Sequence, residues 1–203
     1  MDIGTAKPAE DELATIPPHL LNIADPLQDG FTVNNWLTLA NKVVEDVQNR
    51  GLWPIVVGGT NLYIQSLLFG MFDGPKSDPE IRSALETNTN MQLHERLLIL
   101  DPEAALRIHV NDRRRMVRAI EVCEVTGEPL SLLQTQWTQS KPINEAIIIG
   151  LSWKVEAINR RINARVAQMM EQGFLDEVRM FDGKLGRQAR EALGYKQLLA
   201  HIS

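Results

Sequence analysis

Apolar side chains recur at helical spacing along most of the chain. From Asn34 to Arg50 the positions Leu37, Ala40, Val43, Val44 and Val47 fall on one stripe, and Gly51 follows as a stop. Two short stretches break this period. Pro54-Ile55-Val56-Val57 and Ile147-Ile148-Ile149-Gly150-Leu151 are continuous apolar runs rich in β-branched residues, a composition that predicts buried strands. The first run ends at Gly58-Gly59-Thr60, after which a helix is expected from Thr60 or Asn61 to Phe69. Helix, apolar strand, glycine turn and helix in succession predict an α/β fold with a parallel sheet.

Beyond Gly74-Pro75 the period is helical only. Asp78-Pro79 reads as an N-cap followed by proline in the first helical turn, opening a helix to Glu86. Further helices are expected over 91–100, over 101–108 (again opening Asp-Pro), over 112–126 before Gly127, and over 154–172 before Gly173. The last carries Ile158, Ile162, Val166, Met169 and Met170 on one side. Residues 76–140 thus read as an all-helical insert in an α/β core formed by 1–75 and 141–203. Pro8, Pro17, Pro18 and Pro26 mark residues 1–30 as loop with short extended pieces.

At 203 residues, 44% hydrophobic and 23% charged, the composition is that of a globular protein with a core of its own. No apolar run approaches the roughly eighteen residues of a membrane-spanning helix, and no secretory leader pattern opens the chain. A single cysteine, Cys123, within an apolar stripe, excludes a disulfide framework or a Cys-rich zinc site within the chain, and a cytoplasmic setting is expected. His19, His94, His109 and His201 are dispersed, so they do not suggest a metal centre.

Charge changes the picture at one place. The net charge is −5, yet Arg107 to Arg118 holds five arginines against one acid, Asp112. Arg114 and Arg118 share a helix face at i,i+4, where like charges repel unless an anion compensates. Arginine forks suit phosphate and pyrophosphate oxygens. Three further segments could carry chemistry. Gly58-Gly59-Thr60 could offer backbone N–H groups and a hydroxyl to an anion or substrate edge, or be a tight turn with an N-cap. Asp2-Ile3-Gly4-Thr5-Ala6-Lys7-Pro8 reads alone as a frayed end, and Gly194-Tyr195-Lys196 as an aromatic beside a cation or a core tyrosine beside a solvated lysine. Neither G-x-x-x-x-G-K-[ST] nor G-x-G-x-x-G occurs in the chain.

In order along the chain stand Met-Asp-Ile-Gly-Thr-Ala-Lys-Pro (1–8), Val-Gly-Gly-Thr-Asn-Leu-Tyr (57–63) and Asp78-Pro79-Glu80-Ile81-Arg82. Asp101-Pro102-Glu103-Ala104-Ala105, Arg107-Ile108-His109, Asn111-Asp112-Arg113-Arg114 and Arg118-Ala119 with Glu121-Val122 follow. Thr126-Gly127-Glu128-Pro129-Leu130-Ser131, Arg161-Ile162-Asn163, Gly173-Phe174-Leu175-Asp176-Glu177-Val178 and Gly194-Tyr195-Lys196 complete the series. This ordered series resembles the tRNA dimethylallyltransferase (tRNA isopentenyltransferase) family over essentially all 203 residues.

The resemblance implies transfer of a dimethylallyl group from dimethylallyl diphosphate to N6 of the adenosine 3′ of the anticodon, in tRNAs reading codons that begin with U. It implies a P-loop-kinase-like parallel sheet with an inserted helical tRNA-binding domain, Mg²⁺ at the diphosphate, the tRNA anticodon stem-loop as partner, no membrane, and a monomer. Carried onto this chain, Thr60, Arg82, Arg114, Arg115, Met116, Val117 and Arg118 are the expected tRNA contacts. Arg113, Arg114 and Arg115 are the candidates for the diphosphate. Gly58, Gly59, Asp2, Lys7, Tyr195 and Lys196 are further candidate site residues. The family's G-P-T-A-S-G-K-[ST] loop and its Asp-Ser general-base segment have no counterpart here, nor does its basic C-terminal helix. The chain is therefore expected to be truncated at both ends, with no catalytic residue and few Mg²⁺ ligands of its own. The alternative is a tRNA-binding remnant without transferase activity.

Overall fold

The computed structural model describes residues 1–8, 13, 18–72, 74–134, 142 and 146–202. Pro17 and the expected domain boundary at 140/141 lie outside the described residues. The chain divides into two compact units, residues 58–146 and residues 1–57 with 147–203.

In the first unit α2 (Asn61–Phe69), α3 (Pro79–Glu86), α4 (Asn90–Leu100), α5 (Pro102–Arg107), α6 (Arg113–Thr126) and α7 (Leu130–Leu133) follow one another. In the other, α1 (Val33–Asn49) comes early, and α8 (Val155–Glu171), α9 (Phe174–Met180), α10 (Arg187–Arg190) and α11 (Tyr195–Ile202) come late. The long helices lie within a residue or two of where the apolar period and its Asp, Thr and Gly punctuation put them.

The caps explain those ends. Thr32 with Asn35 and Thr89 with Gln92 form capping boxes, in which the side chain of each partner satisfies a backbone N–H of the other. Asp78 accepts from the Glu80 and Ile81 amides ahead of α3, whose first residue is proline and needs no donor. Gly127 ends α6 at φ +75°, a left-handed position that costs a side chain strain.

The core of unit 58–146 lies where α4 meets α5 and α6. Leu85, Leu93, Leu97, Met116, Ala119, Ile120 and Val122 are buried together, with Phe72, Ile81, Ile108 and Val117 packed around them. Cys123 is part of this cluster, as its place in the stripe suggested. Asp101 is also fully buried here. Its carboxylate caps α5 through the Ala104 amide (2.9 Å) and accepts the Ser131 amide (2.8 Å) and hydroxyl (2.7 Å), tying α7 to α5. In the other unit a smaller core forms around Phe174, Val178, Leu185 and Tyr195, with Met1, Ile3, Met169 and Leu199 against it.

The expected parallel-sheet core requires correction: among the described residues there is no strand, and the architecture is helical. The Pro54–Val57 and Ile147–Leu151 runs are not helical, but neither enters a hydrogen-bond ladder among the described residues. Val57 is 91% exposed and Ile147 86%. A run of β-branched residues states a preference for extended backbone and for burial, whereas a strand exists only when a neighbouring backbone takes its N–H and C=O groups. The sequence pattern carries the preference and says nothing of the neighbour.

Asp101→Ala should cost about 2 kcal/mol, the sum of a lost cap and a half-buried Ser131 amide and hydroxyl left without an acceptor. Asp112→Ala, which removes a solvent-exposed cap of α6, should cost only about 1 kcal/mol. Denaturant unfolding of the two variants beside the parent measures both.

Candidate RNA-binding face and two buried carboxylates

Helix α6 begins at Asp112, whose carboxylate caps the Arg115 amide at 3.2 Å. Its opening Arg113-Arg114-Arg115 therefore fans out at the start of a fixed helix, but the three arginines have different fates. Arg113 is spent on structure. Its Nη1 donates to the Asn88 carbonyl (2.7 Å) and Asn90 Oδ1 (3.3 Å), and its Nη2 to the Leu85 and Glu86 carbonyls (both 2.9 Å). Three of these acceptors are carbonyls at the end of α3 and in the turn after it, where helical backbone donors run out, although the Leu85 carbonyl also accepts from the Thr87 and Asn88 amides. Arg114 is exposed and has no ion-pair partner among the described residues. Arg115 is 75% exposed, with Asp112 Oδ2 at 3.3 Å from its Nε. Of the three diphosphate candidates, two thus project into solvent.

Of the other expected tRNA contacts, Met116 is fully buried and Val117 packs against the same core. Arg118 and Arg82 come together, although 36 positions separate them in the sequence. Between them lies Glu121, fully buried on α6. Glu121 Oε1 accepts from Arg82 Nε (2.8 Å) and the Asp78 amide (2.7 Å). Oε2 accepts from Arg82 Nη2 (3.0 Å) and Arg118 Nη1 (2.6 Å). Arg118 Nη2 also donates to the Pro75 carbonyl at 2.8 Å. Burial pushes the Glu121 carboxyl up, but the hydrogen bonds from Arg82, Arg118 and the Asp78 amide, with the charge of Arg82, outweigh it. The net effect holds it below the ordinary glutamate value.

Thr60 occupies the N-cap position of α2 in extended conformation, yet its side chain makes no capping hydrogen bond. Thr60 thus holds the N-cap position expected of the turn reading, but without its capping hydrogen bond. All three residues are exposed, and a Cβ at either glycine would meet nothing within 4 Å, so their backbone is open to approach.

In the other unit the segment expected to fray is anchored. The amides of Asp2 (2.6 Å), Ile3 (3.1 Å) and Gly4 (3.3 Å) all donate to the Glu177 carboxylate on α9, and the Tyr195 hydroxyl donates to its Oε1. Three consecutive amides around one anion form a backbone nest, here filled by the protein's own side chain. Gly4 is required: a Cβ there would sit 2.1 Å from the Phe174 ring and 2.5 Å from that of Tyr195. Phe174 and Tyr195 meet edge to face, 5.0 Å between centroids. Asp2 and Lys7 pair with each other at the surface, and Lys196 pairs with Glu191. Tyr195 is thus the core residue and Lys196 the solvated one. Burial pushes the Glu177 carboxyl up, and the Tyr195 and backbone hydrogen bonds overcome it to hold it below its ordinary value. Burial and the neighbouring carboxylate push the Tyr195 phenol well above its ordinary value.

Glu121 and Glu177 were not among the sequence candidates. A signal existed in each: an acid within the buried stripe, flanked by Ile120 and Val122 or by Phe174 and Val178, is costly unless it is paired. No three His, Cys, Asp or Glu side chains converge among the described residues. No helix of the described residues is long and apolar enough to cross a membrane.

Arg82 on α3 and Arg118 on α6, both held by the buried Glu121, and the exposed Arg114 on α6 give this helical unit a cluster of guanidinium groups that are partly or fully open to solvent. The family model described as IPP transferase matches residues 1–203, and the chain belongs to this family. It is 38% identical over 206 residues to tRNA dimethylallyltransferase 1 of Citrifermentans bemidjiense, covering 100% of this chain and 67% of that protein. It is 42% identical to the tRNA dimethylallyltransferase of Geobacillus thermodenitrificans, covering 98% of this chain and 64% of that one. Among solved structures it is similar to the tRNA isopentenylpyrophosphate transferase of Bacillus halodurans, with a TM-score of 0.63, 32% identity, and coverage of 100% and 64%. A eukaryotic dimethylallyltransferase acting on tRNA matches with a TM-score of 0.74 and 27% identity, over 98% of this chain and 53% of its own. The chain spans about two thirds of the length of the curated relatives it matches.

The lowered carboxyls fix the sign of one pH effect. A group whose pKa is depressed by folding stabilises fully above its unfolded value of 4.5, and that contribution is lost as pH falls below it. Stability should therefore drop as pH falls below 4.5, and Glu177→Gln should flatten that acid limb while lowering stability at neutral pH. Denaturation midpoints measured from pH 7 down to pH 3, parent against variant, check it.

Proposed function

We propose that this protein acts in the transfer of a dimethylallyl group from dimethylallyl diphosphate to N6 of the adenosine 3′ of a tRNA anticodon, and that the 58–146 unit supplies its RNA-binding face. The observation that carries this reading is the match of the family model across residues 1–203. The geometry supports it. Arg114, Arg115 and the outer edges of Arg82 and Arg118 present guanidinium N–H groups to solvent, suited to the phosphates of a single-stranded loop.

Transfer asks three things of a protein. The target base must leave its stack, the diphosphate must be stabilised as it departs from the allylic carbon, and the adenine amine must lose a proton. In this reading the described residues contribute to the second. Met116 and Val117 lock α6 into the core, so that the exposed arginines stand on a rigid support. Arg114 and Arg115 are the side chains free to meet a phosphate or diphosphate, and the uncapped Thr60 hydroxyl is free to meet the substrate at the exposed start of α2. Magnesium, when bound, would neutralise charge on the diphosphate. The third requirement has no candidate among the described residues. Cytoplasmic location and a monomeric state belong to the same reading.

A second reading is a tRNA-binding protein without transferase activity. Incubating the 203-residue chain with tRNA and dimethylallyl diphosphate separates the two. Binding without prenylated adenosine is the expected outcome for this chain alone, and mass-spectrometric detection of the modified nucleoside would establish transfer by it.

Replacing Arg114 and Arg115 together by alanine should weaken tRNA binding and flatten its salt dependence, by about 0.7 in slope for each phosphate no longer neutralised. Filter binding across a salt series reads both, and an unchanged slope would remove the face from the RNA site. Thr60→Ala should leave the unfolding temperature unchanged, because the hydroxyl makes no cap hydrogen bond, while lowering turnover in the transferase-active protein. Calorimetry and single-turnover assays distinguish these effects.

A further inference from the structure

We propose that Glu121 is a positioning residue: it fastens Arg82 and Arg118 into one two-pronged phosphate clamp for the RNA backbone. The proposal rests on the RNA-binding reading above and deepens it, turning two separate arginines into a single site with a buried organiser.

The geometry carries it in three steps. First, Glu121 is fully buried and its four lone-pair directions are all taken, by the Asp78 amide, two nitrogens of Arg82 and one of Arg118. Such a carboxylate has no capacity left for a substrate, a metal or a proton, so its action is on the two arginines. Second, the arginines are only partly covered, 39% and 37% exposed. Arg82 spends Nε and one Nη2 hydrogen inward and keeps Nη1. Arg118 spends Nη1 on Glu121 and Nη2 on Pro75 and keeps Nε. Each guanidinium is thus held by its inner edge with donors remaining on the outer edge. Third, the cluster of two cations and one carboxylate carries one net positive charge. Without the carboxylate the two guanidinium groups would repel; with it they stand side by side with attraction for an anion left over.

Position and field make opposite predictions for one substitution. Glu121→Gln removes a negative charge beside the RNA site, so a pure field effect would tighten RNA binding. Loss of the clamp would weaken it. The measurement is the affinity of an anticodon stem-loop RNA oligonucleotide for the parent, Glu121→Gln and Glu121→Asp, over a salt series. Active fractions come from stoichiometric titration, and folding is checked by circular dichroism. The aspartate keeps the charge but is one methylene too short to hold both arginines, so it stands in if the glutamine variant does not fold.

Both variants should bind about tenfold more weakly, the scale of one charge-assisted hydrogen-bond pair, with a slope shallower by about 0.7. Folded variants that bind with parental affinity and slope, or a glutamine variant that binds more tightly, would overturn the proposal. So would a loss confined to the active fraction with the slope unchanged, which marks a role in stability alone. If Arg114→Ala/Arg115→Ala loses the RNA while both Glu121 variants keep it, the functional reading stands and the clamp falls. If the parent itself does not bind the RNA, both fall.

Discussion

A carboxylate removed from water must recover its hydration from the protein, and that requirement organises this molecule more than any apolar contact does. Asp101, Glu121 and Glu177 each meet it with donors drawn from more than one segment. Asp101 joins α5 to α7, Glu121 joins α6 to α3 and the turn before it, and Glu177 joins α9 to the first residues of the chain and to α11. Apolar burial around Leu93, Leu97 and Ile120 supplies the larger share of the driving force, but it is tolerant of register. The acids are not. A carboxylate with four donors in fixed directions accepts only the arrangement that brings all of them together, because a buried donor or acceptor left over costs more than the bond gained. In Glu121 and Glu177 the balance of burial against hydrogen bonding falls on the side of the ionised form.

This separates two kinds of arginine on one helix. Positive side chains crowded at the start of α6 are unfavourable by themselves, for the helix N-terminus already carries partial positive charge. The structure disposes of the excess unevenly. Arg113 is absorbed by the carbonyl end of α3, where a cation suits the dipole, Arg118 by Glu121, and Arg115 in part by Asp112. Arg114 is left. A run that reads as uniform in the sequence thus holds one side chain committed wholly to the fold, Arg113, one without an ion-pair partner among the described residues, Arg114, and two that are tied on one edge and still partly exposed, Arg115 and Arg118.

The legibility of the chain follows from the range of the physics involved. Helix ends were readable because a cap is a contact over two or three residues: Asp78 and Asp101 act within their own turn, as the Asp-Pro pairs predicted, and Asp112 does the same for α6. The Arg118–Arg82 juxtaposition was not readable, because it depends on α3 and α6 meeting through Leu85 and Ile81. Glu121 and Glu177 belonged to recognised stretches, yet their partners lie 39 to 43 and 173 to 175 positions away for the most distant contacts. The strand expectation failed for the complementary reason. At Ile55–Val57 and Ile147–Ile149 the local preference is strong, but a ladder is a property of two backbones, and side-chain type reports on only one.

Sharing one carboxylate also makes Arg82 and Arg118 energetically inseparable. Removing either leaves Glu121 with unfilled lone pairs and gives the surviving guanidinium a stronger hold on it, drawing donors inward that the clamp needs outward. The second removal then takes away a site already disabled, while leaving the buried acid with no cation at all. Effects on RNA affinity must therefore be less than additive, and effects on stability more than additive, because a buried carboxylate with no cationic partner is the costliest of the four states. Two arginines acting on RNA independently would give additive losses in affinity, while the coupling in stability would remain, since it follows from the shared Glu121 alone. The opposite signs of the two couplings are a property of the shared acid, and they tie the fold of the helical unit to the face it offers to an anion.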